Sequence, residues 1–321
     1  MKKTSGFFNY MSSSSQSSLY KNGKVLTRRD ISGSDAESVG IELKKYKMDV
    51  VNARNSINNK SISLEKQGFE LFPSKLKNID IDFFNNQQII NMYYAECADF
   101  IKEVTGACSV HAFDHNIRSA IGKKSKKMIN GGQQVQGPAH IVHGDYTLTS
   151  APARLQQLSN PPGKNDTLRE TLGASKSLLS KNVINNILSN GRYAIINLWR
   201  NIVTDPVENN PLALCDASTV SSKDLIVFEI HYADRVGENY FAKHSLKHDW
   251  YFYDRMTKNE VLLIKQWDSE GVLATTKGKS SDSDFLKKPC TFSFHSAFED
   301  PNTAEDAPDR WSMEVRCIVI Y

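Results

Sequence analysis

An imidazole and a carboxylate stand two residues apart in His143-Gly144-Asp145, directly after the apolar pair Ile141-Val142. If the chain turns at Gly144, both side chains reach one metal ion, because neutral imidazole nitrogen and ionised carboxylate oxygen are ligands for divalent transition metals. The triplet alone carries little information: with 8 His and 36 acidic residues in 321, composition by itself produces about one such pattern. A third ligand is needed. The other histidines are His111, His115, His140, His231, His244, His248 and His295, and His295 stands out because it ends the strand-like run at 291–295. Two imidazoles and one carboxylate form the facial triad of non-haem Fe(II) oxygenases, which leaves open positions on the metal for oxygen chemistry. The competing reading of a lone strand histidine is a hydrogen-bonded core or surface residue. Asp145 beside a glycine is, by itself, a turn former.

The last apolar run offers a second constellation. Alternation through residues 310–316 puts Arg310, Ser312, Glu314 and Arg316 on one face of a strand, with Trp311, Met313 and Val315 on the other. Charge at the end of a core strand is costly without partners. An arginine fork with a neighbouring hydroxyl is a receptor for a carboxylate, through bidentate charge-assisted hydrogen bonds. The plainer reading pairs Arg316 with Glu314 at a solvent face.

These residues need elements to hold them. Residues 1–35 are rich in Ser, Lys and Gly with little periodicity and read as a flexible leader. Short strands are expected at 48–51, 61–64 and 68–72, together forming a small preliminary sheet. Apolar positions from Ile89 to Val104 recur at three and four residues, predicting a helix over 85–105 that stops at Gly106. A strand at 108–113 follows, then a flexible connection over 123–138. A second helical pattern runs from Leu178 to Leu188 and ends at Gly191, with a shorter helix near Pro152 before it. Beyond Gly191 come strand patterns at 193–199, 212–215, 225–231, 250–253, 261–267, 291–295 and 311–321.

With the strand ending at His143 there are about eight, the number a jelly roll requires. The expected architecture is therefore mainly β with helices: a double-stranded β-helix (jelly roll, cupin-like) core over 139–321, an N-terminal α/β extension over 36–138, and one domain in all after the leader. In such a fold, strands far apart in sequence meet, so His143 and His295 can share a site.

Composition narrows the classes. The net charge is +4, but its 40 basic and 36 acidic residues are interspersed, which argues against nucleic-acid binding. The cluster Lys123-Lys124-Ser125-Lys126-Lys127 reads as a solvated loop. Five scattered cysteines without a C-x-x-C pair suit reduced thiols, so a cytoplasmic location is expected. No apolar run approaches the ~20 residues of a membrane span.

Seven segments, taken in order, resemble a known family. They are Phe113-Asp114-His115-Asn116-Ile117-Arg118, Val142-His143-Gly144-Asp145-Tyr146-Thr147, Asn197-Leu198-Trp199-Arg200, the run 211–217, Trp267-Asp268-Ser269, Phe294-His295-Ser296-Ala297-Phe298 and the run 310–316. They are similar to the Fe(II)/2-oxoglutarate-dependent dioxygenases, and more narrowly to the biosynthetic group that includes fungal gibberellin desaturase and meroterpenoid endoperoxidase enzymes. Algal kainoid synthases resemble this group too.

The resemblance implies that His143, Asp145 and His295 hold Fe(II), and that Arg310 with Ser312 anchors 2-oxoglutarate, with Arg316 the rival anchor. O2 is the second cosubstrate, and the oxidant takes hydrogen from an unactivated carbon of a small specialised metabolite. His115, Arg118, Tyr146, Asn197, Trp199 and Arg200 become candidate substrate residues. Trp199 and Arg200 have a plainer role as a stacked cover of the core edge, and Asp216, Asp268 and Ser269 read as turn and capping residues. Several cations favour an anionic substrate, so oxidative ring closure of an N-prenylated glutamate, as in kainoid synthases, is the specific expectation. The alternatives are hydroxylation or desaturation of a terpenoid-type substrate, a zinc-dependent cupin-type hydrolase on the same triad, and a non-catalytic jelly roll with structural histidines.

Overall fold

The computed structural model describes residues 3–29, 35–55, 62–163, 166–232, 235–284 and 288–321. Among these, the strands form two sheets. The large sheet runs in the order β1 (Lys3–Met11), β4 (Leu43–Asn52), β12 (Trp250–Phe252), β9 (Leu212–Cys215), β14 (His295–Ala297), β7 (His143–Gly144), β11 (Val236–Ala242), β10 (Leu225–His231), β2 (Leu26–Arg29) and β3 (Asp35–Val39). The small sheet runs β5 (Phe69–Pro73), β13 (Glu260–Asp268), β8 (Tyr193–Asn201), β15 (Ser312–Ile320) and β6 (Ser109–Arg118). Apolar side chains of both sheets join one core, including Tyr240 and Trp250 from the large sheet and Ile196 and Val315 from the small one. Two sheets over a shared core with few helices fit a jelly roll.

The small sheet is buried on both faces, since every residue of β8 is buried. Its second cover is a helix. Asn86–Gln88, a wide π turn at Ile89–Tyr93 and α1 (Tyr94–Thr105) continue one another. The Asn85 side chain caps the start by accepting from the N–H groups of Gln87 and Gln88, and Gly106 closes the end at φ 67°. Tyr93 and Tyr94 then reach down to Arg200 on β8 and His115 on β6. Two further helices, α2 (Ser150–Gln157) and α3 (Lys181–Asn190), fill the connection between β7 and β8.

Several expectations change here. Residues 3–29 are not a flexible leader: β1 pairs with β4 along its whole length and buries Phe8 and Tyr10 completely. Its Ser-rich continuation hid an alternating strand. Residues 1–2 and 30–34 lie outside the described residues. The small preliminary sheet does not exist as a unit, because β4 joins the large sheet and β5 the small one. Residues 62–64 are irregular rather than extended, and Ser61 lies outside the described set. The strand expected at 291–295 begins only at His295, and the connection 123–138 opens with the end of a short helix, Ala120–Lys124. Strand β11 was not anticipated, because Gly237, Glu238 and Asn239 break the apolar pattern.

Candidate active site

The register of the large sheet brings the triad together. Strand β7 lies between β14 and β11, and His143 pairs directly with His295. Their ring centroids are 4.3 Å apart. Asp145 follows as the chain leaves β7, and one side-chain donor atom from each of the three residues lies within 4.8 Å of the others. Gly144 is an extended strand residue, not the turn expected. It is needed for room instead, since a Cβ there would lie 2.9 Å from the Phe292 ring.

Protonation suits a metal. The Ile141 carbonyl accepts a hydrogen bond from His143 Nδ1 at 2.7 Å, which leaves the Nε2 lone pair free toward Asp145 Oδ1, 3.7 Å away. Burial, helped by the neighbouring His295, lowers the His143 pKa to about 4, and burial lowers that of His295 too. Burial alone would raise the Asp145 carboxyl. The Arg316 guanidinium, then the two imidazoles and the Asn197 amide, outweigh it and hold Asp145 well below the usual carboxylate range. Two neutral imidazoles and one ionised carboxylate are the donor set that Fe(II) takes with positions left open.

Asp145 is also gripped from behind. Asn197 Nδ2 donates to Oδ2 at 3.1 Å and Arg316 Nε does so at 3.3 Å, which turns Oδ1 toward the histidines, while Gln266 accepts from its backbone N–H at 3.2 Å. Gln266 sits where the β13–β8 register slips, and a matching slip at Arg316 leaves Phe113 of β6 unpaired. Bulges of this kind re-aim side chains beside a site.

The two candidate arginine anchors differ sharply. Each nitrogen of the Arg316 guanidinium faces a carboxylate: Asp114 at 2.9 Å, Glu314 at 3.0 Å and Asp145 at 3.3 Å. Arg310 is buried with no acidic partner in direct contact among the described residues; it donates to the Asn210 carbonyl and lies 5.9 Å over the Trp199 ring. Burial, with Arg118 nearby, lowers its pKa to about 9. Its Nε and the Oγ of Ser312 are buried without a hydrogen-bond partner. Two buried donors without partners, a guanidinium N–H and a hydroxyl two residues apart in the chain, suit a carboxylate such as the distal one of 2-oxoglutarate.

A cleft of about 400 Å³ opens onto His143 and Asp145. Arg118, Tyr146 and Arg316 line it, and Asn197 stands behind Asp145. Burial raises the Tyr146 pKa to about 12, so its hydroxyl stays a donor. Three expected substrate residues lie elsewhere. Strand alternation sends Asp114, Asn116 and Arg118 into the cleft and turns His115 away, toward the Tyr94 hydroxyl 2.8 Å from its Nδ1. Arg200 likewise points out under the helix, bonded to the Tyr93 hydroxyl and the Ser74 and Lys258 carbonyls. Trp199 is core, packed with Leu214 and Leu262.

Sequence reasoning missed Asn116, Arg154, Arg235 and Gln266. The position of Arg154 on the helix that directly follows the 141–147 run was a usable signal. Gln266 had none, because a bulge is invisible without the pairing.

The family model described as "YDMC: Oxidoreductase/YMDC permease-like domain" matches residues 8–320, and among the described residues no helix is long and apolar enough to cross a membrane. The hydroxylase/desaturase efuI of Hormonema carpetanum is 30% identical over 304 residues, covering 88% of each chain. The alpha-ketoglutarate-dependent dioxygenase phiK of a fungal species is 28% identical, covering 89% of this chain and 90% of that one. Among solved structures, the iron and alpha-ketoglutarate-dependent endoperoxidase NvfI superposes with a TM-score of 0.68 at 22% identity, over 99% of this chain and 97% of that one.

Proposed function

Because the chain is an Fe(II)/2-oxoglutarate-dependent dioxygenase, belonging to the oxidoreductase family whose model spans residues 8–320, we propose that it takes hydrogen from an unactivated carbon of a small, anionic specialised metabolite. Ring closure of an N-prenylated glutamate is the specific reaction assigned. The observation that carries this reading is a set of guanidinium groups with donors to spare: among the described residues Arg118, Arg154 and Arg235 line the cleft with no carboxylate within hydrogen-bond distance, although Asp114, Asp145, Asp166 and Glu238 share the wall and Arg316 is matched by its three acidic neighbours. Such a wall favours carboxylates over a bare hydrocarbon skeleton.

In this reading His143, Asp145 and His295 hold the iron, and Arg310 with Ser312 holds the distal carboxylate of 2-oxoglutarate. When bound, Fe(II) with 2-oxoglutarate and O2 supplies an oxidant strong enough for an unactivated C–H bond, and the cosubstrate leaves as succinate and CO2. The chain's own part is orientation. Asn197 and Arg316 fix the Asp145 carboxylate, Ile141 fixes the His143 tautomer, and Tyr146 offers a neutral donor to the substrate side.

The zinc hydrolase and non-catalytic alternatives give way, since the relatives are Fe(II)/2-oxoglutarate-dependent dioxygenases. Hydroxylation or desaturation of a terpenoid-type substrate is the second reading, favoured by relatives named hydroxylase/desaturase. Succinate release across a panel of N-prenylated amino acids and terpenoids separates the two. N-prenyl glutamates are expected to stimulate succinate and yield a cyclised product; stimulation by terpenoids alone overturns ring closure.

A further inference from the structure

One charged group near the triad has no role in holding iron or cosubstrate. Arg154, on α2, lines the same cleft as His143 and Asp145. Its guanidinium lies 4.8 Å over the Phe113 ring, the residue that the β6 bulge leaves unpaired. Stacking fixes the plane of the fork without using its N–H groups. Its polar contacts are weak: Nη1 is 3.7 Å from Asp166 Oδ1 and 3.4 Å from Gln157 Oε1. Among the described residues, Nε and Nη2 make no hydrogen bond.

Asp166 has a second cationic neighbour. Its Oδ2 accepts from the Gly163 N–H at 2.7 Å, and a Cβ on Gly163 would lie 3.4 Å from that oxygen and 4.0 Å from Arg235 Nη1. The Asp166 carboxylate and the Arg235 guanidinium therefore border the same space beside Gly163, and the nearest cation to Asp166 among the described residues is Arg154 at 3.7 Å. A carboxylate held loosely by one guanidinium, with a second guanidinium bordering the same space, marks where an incoming carboxylate gains most, because both forks still have donors to give.

We propose that Arg154, assisted by Arg235, is the anchor for a carboxylate of the substrate, and that Asp166 occupies this anion subsite until the substrate displaces it. The assignment rests on the reading of the substrate as an anionic N-prenylated amino acid, and it names which residues read the charge. Arg310 and Ser312 serve the cosubstrate, whereas Arg154 sets which molecule is oxidised.

Calorimetry on protein loaded with Mn(II) and saturating 2-oxoglutarate tests it without turnover, since the cosubstrate pocket is then filled. N-prenyl-L-glutamate is expected to bind, and its dimethyl ester at least about tenfold more weakly. Arg154→Gln should cost the acid at least about tenfold while leaving 2-oxoglutarate affinity unchanged. Asp166→Asn should tighten the acid, because the internal competitor is gone; an Asp166 that is merely structural would not do so. The subsite is overturned if the acid fails to bind, binds no better than the ester, or binds Arg154→Gln as it binds the wild type. Binding that passes these checks without a cyclised product in the iron enzyme sinks ring closure and leaves the subsite standing.

Discussion

Two arginines six residues apart, Arg310 just before the last strand and Arg316 within it, separate into different jobs once their partners are known. Arg316 is surrounded by Asp114, Asp145 and Glu314 and steadies a ligand carboxylate, whereas Arg310 and Ser312 keep buried donors unmatched. Side chains that hydrogen-bond a metal-binding carboxylate or imidazole typically contribute about 10–100-fold in affinity or activity. Arg316→Gln is therefore expected to weaken anaerobic Fe(II) binding by about tenfold or more. Arg310→Ala should leave iron affinity near wild type and raise the 2-oxoglutarate concentration needed for the weak visible band of the iron chelate. If the two phenotypes exchange, the assignment is wrong. His143→Ala and Asp145→Ala should each abolish turnover.

Legibility at this scale was uneven. The grouping of His143, Asp145 and His295 could be anticipated because their types are chemically restricted and their order along the chain is distinctive, and Arg310 and Ser312 were singled out on the same ground. His115 and Arg200 have equally suggestive types. The two-residue period of a strand turned both away from the cleft, and only the pairing shows which face is which.

At the level of elements, the strands and helices with clean periodicity were readable: α1, α3, β9 and β10 lie close to the expected bounds. What could not be read was local irregularity. The slips that aim Gln266 and Phe113 into the site follow from how β13 meets β8 and β15 meets β6. Gly144 belongs to the same class, because its reason is the Phe292 ring across the fold. Gly144→Ala should force β7 off Phe292, destabilise the protein by roughly 1–3 kcal/mol through overpacking, and weaken metal binding in parallel. Chemical denaturation and Mn(II) titration of one preparation check both effects, and an unchanged metal affinity would show that β7 tolerates the shift.

Asp282 gives an element-level pH dependence away from the site. Its carboxylate accepts from the Thr291 backbone N–H at 2.6 Å and from the Thr291 hydroxyl at 2.8 Å, and so ties its own 3-10 turn to the approach to β14. Burial, against these hydrogen bonds, raises its pKa to about 6. A carboxyl raised in the fold favours the folded state when protonated. That contribution is complete below the ordinary aspartate value and is lost as pH rises through 6. Asp282→Asn should therefore remove a loss of about 1–3 kcal/mol between pH 4 and 7. Urea midpoints at those two pH values would converge relative to the wild type, and parallel wild-type and variant curves would refute the claim.

For the whole molecule, the largest revision concerns the N-terminus. Composition marked it as leader, since Ser and Lys dominate and only every second residue from Gly6 to Tyr10 is buried. In the fold it is the edge strand of the large sheet, where Phe8 packs on Trp250 and Phe298, and Tyr10 accepts from the Trp250 indole N–H. Each fully buried aromatic of this size contributes roughly 2–3 kcal/mol, a large part of a typical net stability of about 5–15 kcal/mol. Deleting residues 1–11 should abolish a cooperative thermal transition, as followed by circular dichroism, and a truncated protein that melts like the full chain would restore the leader.

One feature of the large sheet reaches beyond chemistry. In the strand order its two halves, β1-β4-β12-β9-β14 and β11-β10-β2-β3, meet at a strand of only two residues, where β7 and β14 are linked by the single pair His143 and His295, and isolated bridges from β1 to Ile141 and Lys243 add a second connection. The two histidines proposed to hold the metal thus also pin this seam. An ion shared by both imidazoles, as proposed, would clamp the sheet where β7 is shortest, and occupancy of the site and cohesion of the fold would then be thermodynamically linked. Starved of metal, such a molecule loosens from its centre rather than from its edges.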